Sequence, residues 1–418
     1  MQALYRFILS KKIEIVFALG VSVLTYMGAQ YMHGSQQDLI SEYYSKIENQ
    51  EVLREDVIVT KEDLSAIFAC AKKFAYDKNK IEECNRNFYD AYTMAHGPAD
   101  AFAHLARLQK EHKNLLPSCH YISHGIGNAV LRRSGKDPYK AFSIMQTGNF
   151  FKNVVTCGNG YFHGVIEEVA KDTTDKDELV ALLSGICSSA KITNKGNCFH
   201  GIGHAATIQT EYNIADMQYI CDRISPNPVE VFGCHTGGYM EYAQIYPRTV
   251  SAKAGEMKFD LCDSLEKKYQ PACYLELSSA YESFSTEPRN YTRNVGFCKQ
   301  IADDLNRMAC IKLFAIRAVR ISHYQEIYAM CSNTSTKYEQ VMCMAVIADK
   351  MGGSRDGTRK TAAYHESIDG VCKTLNPLYA GYCKHLVYVD FSQLFYTSAA
   401  DFDFPPMLEL LKKRALLL

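Results

Sequence analysis

The sequence contains no tryptophan, no CxxC or CxxCH motif and no HExxH motif, and it carries no net charge. The absence of CxxC motifs excludes thioredoxin-type redox chemistry, zinc ribbons and covalently attached c-type haem. The absence of HExxH excludes the zinc site of the zincin proteases. Because 46 basic side chains balance 46 acidic ones, no overall field attracts nucleic acid, and we expect no nucleic-acid partner.

The sequence also lacks any sustained alternation of polar and apolar residues, so strand signals are weak throughout. Hydrophobic residues nevertheless make up 47% of the 418 positions, which is enough to bury a large core. Together, these two features predict an all-α protein.

One long hydrophobic run lies near the N-terminus. Within residues 13–32, Ile15 to Met32 are 18 mostly apolar residues that follow three basic side chains. A helix of that length rises about 27 Å, close to the hydrocarbon thickness of a bilayer. The run predicts a transmembrane signal anchor, with residues 1–12 in the cytoplasm and the bulk of the chain periplasmic, extracellular or lumenal. A cleaved signal peptide is the alternative.

The sixteen cysteines form a regular pattern. Fourteen of them fall into seven local pairs whose members are 11 to 14 residues apart. Such regularity predicts a disulfide framework in an oxidising compartment. The predicted local disulfides are Cys70–Cys84, Cys187–Cys198, Cys221–Cys234, Cys262–Cys273, Cys298–Cys310, Cys331–Cys343 and Cys372–Cys383.

Cys119 and Cys157 have no local partner. We predict that they bridge to each other across neighbouring units. Equivalent points on packed helices are often 8 to 10 Å apart, however, whereas a disulfide needs Cα atoms within about 7 Å. If the bridge does not form, the two thiols become metal ligands or a nucleophile.

The cysteines also mark a repeat. The second cysteine of each pair, together with Cys119 and Cys157, gives nine positions at a spacing of roughly 37 residues. A helix-like segment such as DELVALLSGICSS leads into the first cysteine, turn residues follow, and another helix-like segment starts at the second. We predict a superhelical stack, or solenoid, of about nine disulfide-stapled helical hairpins, with a closed α/α toroid as the alternative. Hairpin length and one cysteine pair per unit resemble Sel1-type repeats, a resemblance that implies nothing about function.

The remaining segments complete the predicted organisation. Residues 33–60 are polar and charged and predict a stalk or linker, and residues 61–400 hold the hairpin repeats. Residues 401–418 end in PPMLELLKKRALLL, which predicts an amphipathic helix that caps the last hairpin. A helix lying on the membrane surface is the alternative for this segment.

Histidines recur in register with the repeat. Three successive second helices start with CHYISHGIGN, CGNGYFHGVIE and CFHGIGH, which share the pattern His-Gly-x-x-polar. The polar partner lies four residues after the histidine and therefore on the same helix face. The pairs are His124 with Asn128, His163 with Glu167, and His200 with His204.

A stack of hairpins brings these pairs side by side, within a His-rich part at 119–241. Imidazoles and a carboxylate suit a divalent transition metal, zinc first, with iron, copper or manganese as alternatives. We expect Glu167 to act as a ligand or general base and Asn128 to orient a substrate. The predicted metal ligands are His124, His163, Glu167, His200 and His204.

The predicted transmembrane anchor and the predicted metal site together indicate a membrane-anchored extracytoplasmic metalloprotein. Metal-dependent hydrolysis is one reaction that such a metal site could catalyse. The alternative is a non-enzymatic scaffold that binds a peptide or envelope protein on its concave face, where some of the 28 tyrosines would provide contact surface. Bis-histidine haem ligation is a third possibility.

Seven further histidines have no periodic partner and are predicted to cap or pack: His104, His112, His120, His235, His323, His365 and His385.

Overall fold

The computed structural model describes residues 57–74, 78–111, 119–147, 158–189, 195–249, 260–284, 290–318, 324–351 and 362–387. The chain divides into two compact units, Met1–Asp56 and Val57–Leu418, and the described residues all belong to the second. The predicted cytoplasmic segment, membrane anchor and C-terminal cap lie outside the described residues, as does most of the predicted linker. No described helix is both long and apolar enough to cross a membrane.

The described residues form helices and connecting segments, and no strand occurs among them. This agrees with the predicted all-α class. The helices are α1 (Lys61–Lys73), α2 (Lys78–His96), α3 (Pro98–Glu111), α4 (Cys119–Arg133), α5 (Pro138–Thr147), α6 (Gly158–Ala170), α7 (Lys176–Ser188), α8 (Lys195–Gln209), α9 (Ile214–Arg223), α10 (Pro228–Thr249), α11 (Asp260–Ser264), α12 (Gln270–Phe284), α13 (Tyr291–Phe297), α14 (Asp304–Arg317), α15 (Tyr324–Cys331), α16 (Lys337–Met351), α17 (Ala362–Cys372) and α18 (Pro377–Val387).

Polar caps determine where several helices begin. At α1, the Thr60 hydroxyl accepts from the Asp63 amide at 3.1 Å, and the Asp63 carboxylate accepts from the Thr60 amide at 2.9 Å. This is a capping box, which satisfies two amides at the helix start. Asp175 before α7 and Asn213 before α9 accept from amides of the first turn in the same way. Polar side chains therefore determine where α1, α7 and α9 begin.

The seven local cysteine pairs are all disulfides, with Cα–Cα distances between 5.4 and 5.8 Å. Each joins the end of one helix or turn to an early turn of the next long helix. Cys119 is also disulfide-bonded, so its thiol is not available as a metal ligand or nucleophile. Its partner lies outside the described residues, as does Cys157, and the bridge between them stays a prediction.

The helices pack as consecutive hairpins. Each odd-numbered helix from α1 to α17 contacts the even-numbered helix that follows it. Each even-numbered helix also contacts the next even-numbered one, from α2 through to α18. Contacts are therefore made between neighbours along the chain, and the histidine-bearing helices α4, α6 and α8 lie in direct succession.

The even-numbered helices of the His-rich part lie in the interior. In α4 every residue from Ile122 to Leu131 is buried, including the polar Ser123, His124 and Asn128. Helix α7, by contrast, buries a single stripe of four residues, as an amphipathic surface helix does. A polar side chain on α4, α6 or α8 therefore has other helices around it on several sides.

Candidate metal centre

Five histidines from three successive helices converge in the interior. Two lie on α4, one on α6 and two on α8. They form two groups of three, and within each group one potential ligand atom per residue lies within 4.8 Å of the others. The first group is His120, His124 and His163, and the second is His163, His200 and His204.

His163 lies at the centre of the cluster. Its ring centroid is 4.9 Å from that of His120 and 5.4 Å from that of His124. The corresponding distances to His200 and His204 are 5.1 and 4.6 Å. The predicted histidines His124, His163, His200 and His204 therefore lie together.

Glu167 lies behind His124. Its Oε1 is 2.8 Å from Nδ1 of His124, and its Oε2 accepts a hydrogen bond from Nη2 of Arg86 at 2.9 Å. In metal sites a carboxylate beside one ring nitrogen of a histidine commonly orients the other nitrogen toward the metal. Glu167 is in neither group of potential ligands. The ligand and general-base roles predicted for it stay predictions.

Glu241, on α10, does the same for His204. Its Oε2 lies 2.9 Å from Nδ1 of His204, and its Oε1 accepts from the Tyr212 hydroxyl at 3.3 Å. Both carboxylates are buried. The centre thus has one carboxylate behind each group of histidines.

Thr236 fixes the tautomer of His200. The Thr236 hydroxyl lies 2.9 Å from Nδ1 of His200 and donates its proton to the Gly233 carbonyl at 2.8 Å. Because that proton is already used, Nδ1 of His200 must be the donor to Thr236. The lone pair of Nε2 is then available to a metal.

Burial keeps the rings of His120, His163 and His200 neutral. Burial, together with the neighbouring imidazoles, lowers the pKa of His120 and His163 well below 6.5. Burial also lowers the pKa of His200 well below that value. Neutral imidazole is the form that binds metal. Burial would raise the pKa of Glu167, but His124 and Arg86 outweigh it and hold that pKa at about 2, so Glu167 is a carboxylate.

Several buried ring nitrogens have no hydrogen-bond partner among the described residues. These are both nitrogens of His163, which is 1% exposed, and Nε2 of His120 and of His204. Buried polar atoms in folded proteins almost always have a partner, so each exception needs an explanation. A metal ion would bind these lone pairs.

Two cavities flank the histidines. The larger, of about 550 Å³, is lined by His120, His163 and His200 on one side and by apolar residues such as Phe232, Met240 and Leu275 on another. The smaller, of about 340 Å³, contains the predicted site residues Asn128 and Glu167 together with Arg86, Tyr121 and Arg132. Asn128 therefore lines the smaller cavity and not the larger one.

Glycines allow the histidine helices to approach closely. A Cβ on Gly164 would lie 2.0 Å from the carbonyl oxygen of His124, and a Cβ on Gly237 would lie 1.8 Å from that of His200. Real Cβ atoms do not come so near a backbone oxygen, so only glycine fits at these contacts. The glycine of the His-Gly pattern serves to pack one helix against its predecessor.

Gly164→Ala is expected to lower the free energy of unfolding by about 2 kcal/mol, because the added methyl group must push α6 away from α4. Gly185→Ala is the matched control: Gly185 lies in α7 and a Cβ there meets nothing within 4 Å. That change is expected to be stabilising by up to about 1 kcal/mol, the helix preference of alanine over glycine. Urea unfolding of the oxidised proteins, followed by far-UV circular dichroism, measures both. Equal effects of the two substitutions would contradict the close approach.

The seven histidines predicted to cap or pack have four different outcomes. His120 was expected to cap or pack, but it belongs to the first group, and its spacing of four residues from His124 repeats that of His200 and His204. His104 and His235 do pack, beside Asp63 and Asp222 respectively. His365 and His385 lie on α17 and α18 and are in neither group, whereas His112 and His323 lie outside the described residues.

The centre therefore has two groups of three imidazoles, one carboxylate behind each group, and a cavity beside both. Imidazole nitrogen at this density is typical of sites for zinc, copper or iron. No protein-family model matches the chain, and no curated protein or solved structure matches it.

Proposed function

We propose that the chain is an extracytoplasmic metalloprotein whose histidine cluster binds a divalent transition metal. The observation that carries the proposal is the pair of three-histidine groups, whose ligand atoms lie within 4.8 Å of one another. The carboxylates of Glu167 and Glu241 support it, since each holds the Nδ1 of one histidine and leaves Nε2 for the ion. Zinc is the first candidate, followed by copper, iron and manganese.

Metal-dependent hydrolysis is the activity that this centre would support. Three imidazoles leave a fourth position open on a tetrahedral ion, where a bound water becomes a nucleophile near neutral pH. The cavity of about 550 Å³ beside His120, His163 and His200 offers room for a substrate. Since Glu167 is already engaged by His124 and Arg86, we favour a positioning role for it over that of general base.

The rest of the architecture is proposed from the sequence and supported by the helix contacts. Consecutive hairpins that contact their neighbours are what a solenoid of about nine repeats requires, and a closed toroid is the alternative curvature. Seven disulfides suit an oxidising compartment outside the cytoplasm. Residues 13–32 would anchor the protein in the membrane.

Elemental analysis by plasma mass spectrometry tests the metal site. We expect the full chain, purified in detergent without an affinity histidine tag, to hold one or two equivalents of a transition metal. His200→Ala/His204→Ala should lower that content by at least one equivalent, because it removes two of the three ligands in one group. His365→Ala, at an exposed position on α17, should leave it unchanged.

Two results would contradict the proposal. One is a correctly disulfide-bonded protein that binds no transition metal even after reconstitution. The other is an unchanged metal content in the double variant. Either would leave the non-enzymatic scaffold as the function to test, by capture of a peptide or envelope partner in the presence of a chelator.

A further inference from the structure

The two halves of the histidine cluster are built alike. Helix α4 supplies His120 and His124, and α8 supplies His200 and His204, each pair spaced by four residues. In each pair the second histidine has a glutamate against its Nδ1. That glutamate is Glu167 for His124 and Glu241 for His204, at 2.8 and 2.9 Å. Each glutamate lies on the even-numbered helix that follows the helix of its histidine, on α6 and α10 respectively.

His163 is the one residue that both halves contain. It lies on α6, between α4 and α8, and its ring centroid is within 5.4 Å of those of His120, His124, His200 and His204. Unlike His124 and His204, it has no carboxylate of the described residues on either ring nitrogen. Both nitrogens are buried, and neither has a hydrogen-bond partner among the described residues.

We propose that the centre binds two metal ions that share His163 as a bridging imidazolate, one ion held also by His120 and His124 and the other by His200 and His204. This inference rests on the proposed metal-binding function. On binding the second ion, the ring of His163 releases its remaining N–H proton to solvent, and each ring nitrogen then donates one electron pair to one ion. Neither ion changes its oxidation state.

The arrangement explains why one histidine belongs to two groups. A single ion coordinated by three histidines would use one nitrogen of His163 and leave the other buried without a partner, which is unfavourable. With two ions, each receives three imidazole nitrogens, a ligand set typical of zinc and copper. Each also has one buried carboxylate behind its ligands; Arg86 offsets part of the charge of Glu167.

The bridge sets the distance between the ions. With metal–nitrogen bonds of about 2.0 Å on either side of one imidazole ring, the ions lie about 6 Å apart. That is longer than the 3.5–4 Å of two-metal sites that clamp one oxygen between them. Because His120, His163 and His200 all line the larger cavity, both ions would border the same cavity and contact different atoms of one substrate.

Copper(II) is the probe that tests the bridge, because two copper ions joined by an imidazolate couple magnetically. Metal-free full chain is titrated with Cu²⁺ and followed by electron paramagnetic resonance at low temperature, with bound copper measured in parallel. We expect two equivalents to bind and the integrated signal to fall as the second one binds. His200→Ala/His204→Ala and His120→Ala/His124→Ala should each bind one copper, with a signal that accounts for all of it.

The outcomes separate the two proposals. One bound copper in the unsubstituted protein overturns the shared histidine and leaves the metal site intact. No bound copper overturns both. Two bound coppers with an undiminished signal overturn the bridge. His163→Phe keeps an aromatic ring in the packing but removes the ring nitrogens, so it should abolish the magnetic coupling. The outcomes above are decided by the unsubstituted protein alone. A variant that fails to fold therefore does not affect the test.

Discussion

Reduction of the seven described disulfides is expected to abolish cooperative folding of the helical unit. Each bridge joins cysteines 11 to 14 residues apart. Closing a loop of that size stabilises a protein by about 3 kcal/mol in the chain-entropy estimate. Seven such bridges amount to about 20 kcal/mol, more than the roughly 5–15 kcal/mol by which a domain is usually stable.

The comparison uses protein that is reduced and alkylated in denaturant and then returned to buffer. Its urea titration, followed by far-UV circular dichroism, should show no cooperative transition. The control passes through the same denaturant and alkylating agent without reductant and should regain its helices and its transition. A reduced, alkylated chain that unfolds cooperatively would show instead that helix packing alone is sufficient.

This dependence bears on where the protein works. Most of the cysteines in these bridges have no exposed surface, and they staple consecutive hairpins along the described chain. A framework of this kind forms and persists in oxidising compartments. The disulfides therefore indicate an extracytoplasmic environment for the described unit.

The all-helical class and the seven local disulfides were predictable because cysteine spacing and helical periodicity agreed. The segment DELVALLSGICSS, predicted as the first helix of a hairpin, coincides with α7.

The residues at which helices start were less predictable. We expected the second helices to begin at their cysteines, but α10 begins at Pro228 and α18 at Pro377, each ahead of its cysteine. Proline is favoured in the first turn of a helix, so local backbone preference, not the disulfide, determines the start.

The histidine site was predictable to the extent that the His-Gly pattern recurs at an even spacing in the sequence. The equivalent helix positions of His124, His163 and His200 meant that stacking would bring them together. Glu241 carried no such signal, because its contact with His204 depends on the rotation of α10 against α8. The close approach of Gly237 on α10 to His200 on α8 is likewise a contact that spacing within one helix does not encode.

The metal-free protein is expected to lose stability as the pH falls below about 6.5. His120, His163 and His200 have pKa values held well below 6.5 by burial, whereas in the unfolded chain they titrate near 6.5. Above that pH the rings are neutral in both states and contribute no dependence. Below it the unfolded chain takes up protons that the folded protein does not, and each such histidine destabilises the fold by about 1.4 kcal/mol per pH unit.

Glu276 opposes this trend. Burial raises its pKa to about 7, against the smaller opposite influence of Arg317, His204 and Lys312. The folded protein keeps the Glu276 proton up to that pH, whereas the unfolded chain releases it near 4.3. As the pH falls from 7 toward 4.3, Glu276 therefore stabilises the fold by about 1.4 kcal/mol per unit. Burial lowers the pKa of His104, His124 and His235 as well, so the histidines outnumber Glu276 and we expect a net loss of stability as the pH falls below 6.5.

Urea unfolding of the disulfide-intact protein in chelator, at intervals between pH 8 and pH 5, measures this slope. Glu276→Gln separates the two contributions, because a neutral amide imitates the protonated acid at every pH. The variant should be more stable than the unsubstituted protein by about 3 kcal/mol at pH 8 and should lose stability more steeply below pH 6.5. If the free energy of unfolding of both proteins did not change between pH 7 and pH 5, His120, His163 and His200 would be taking up protons in the folded state. Burial would then not be what keeps these three rings neutral and able to bind a metal.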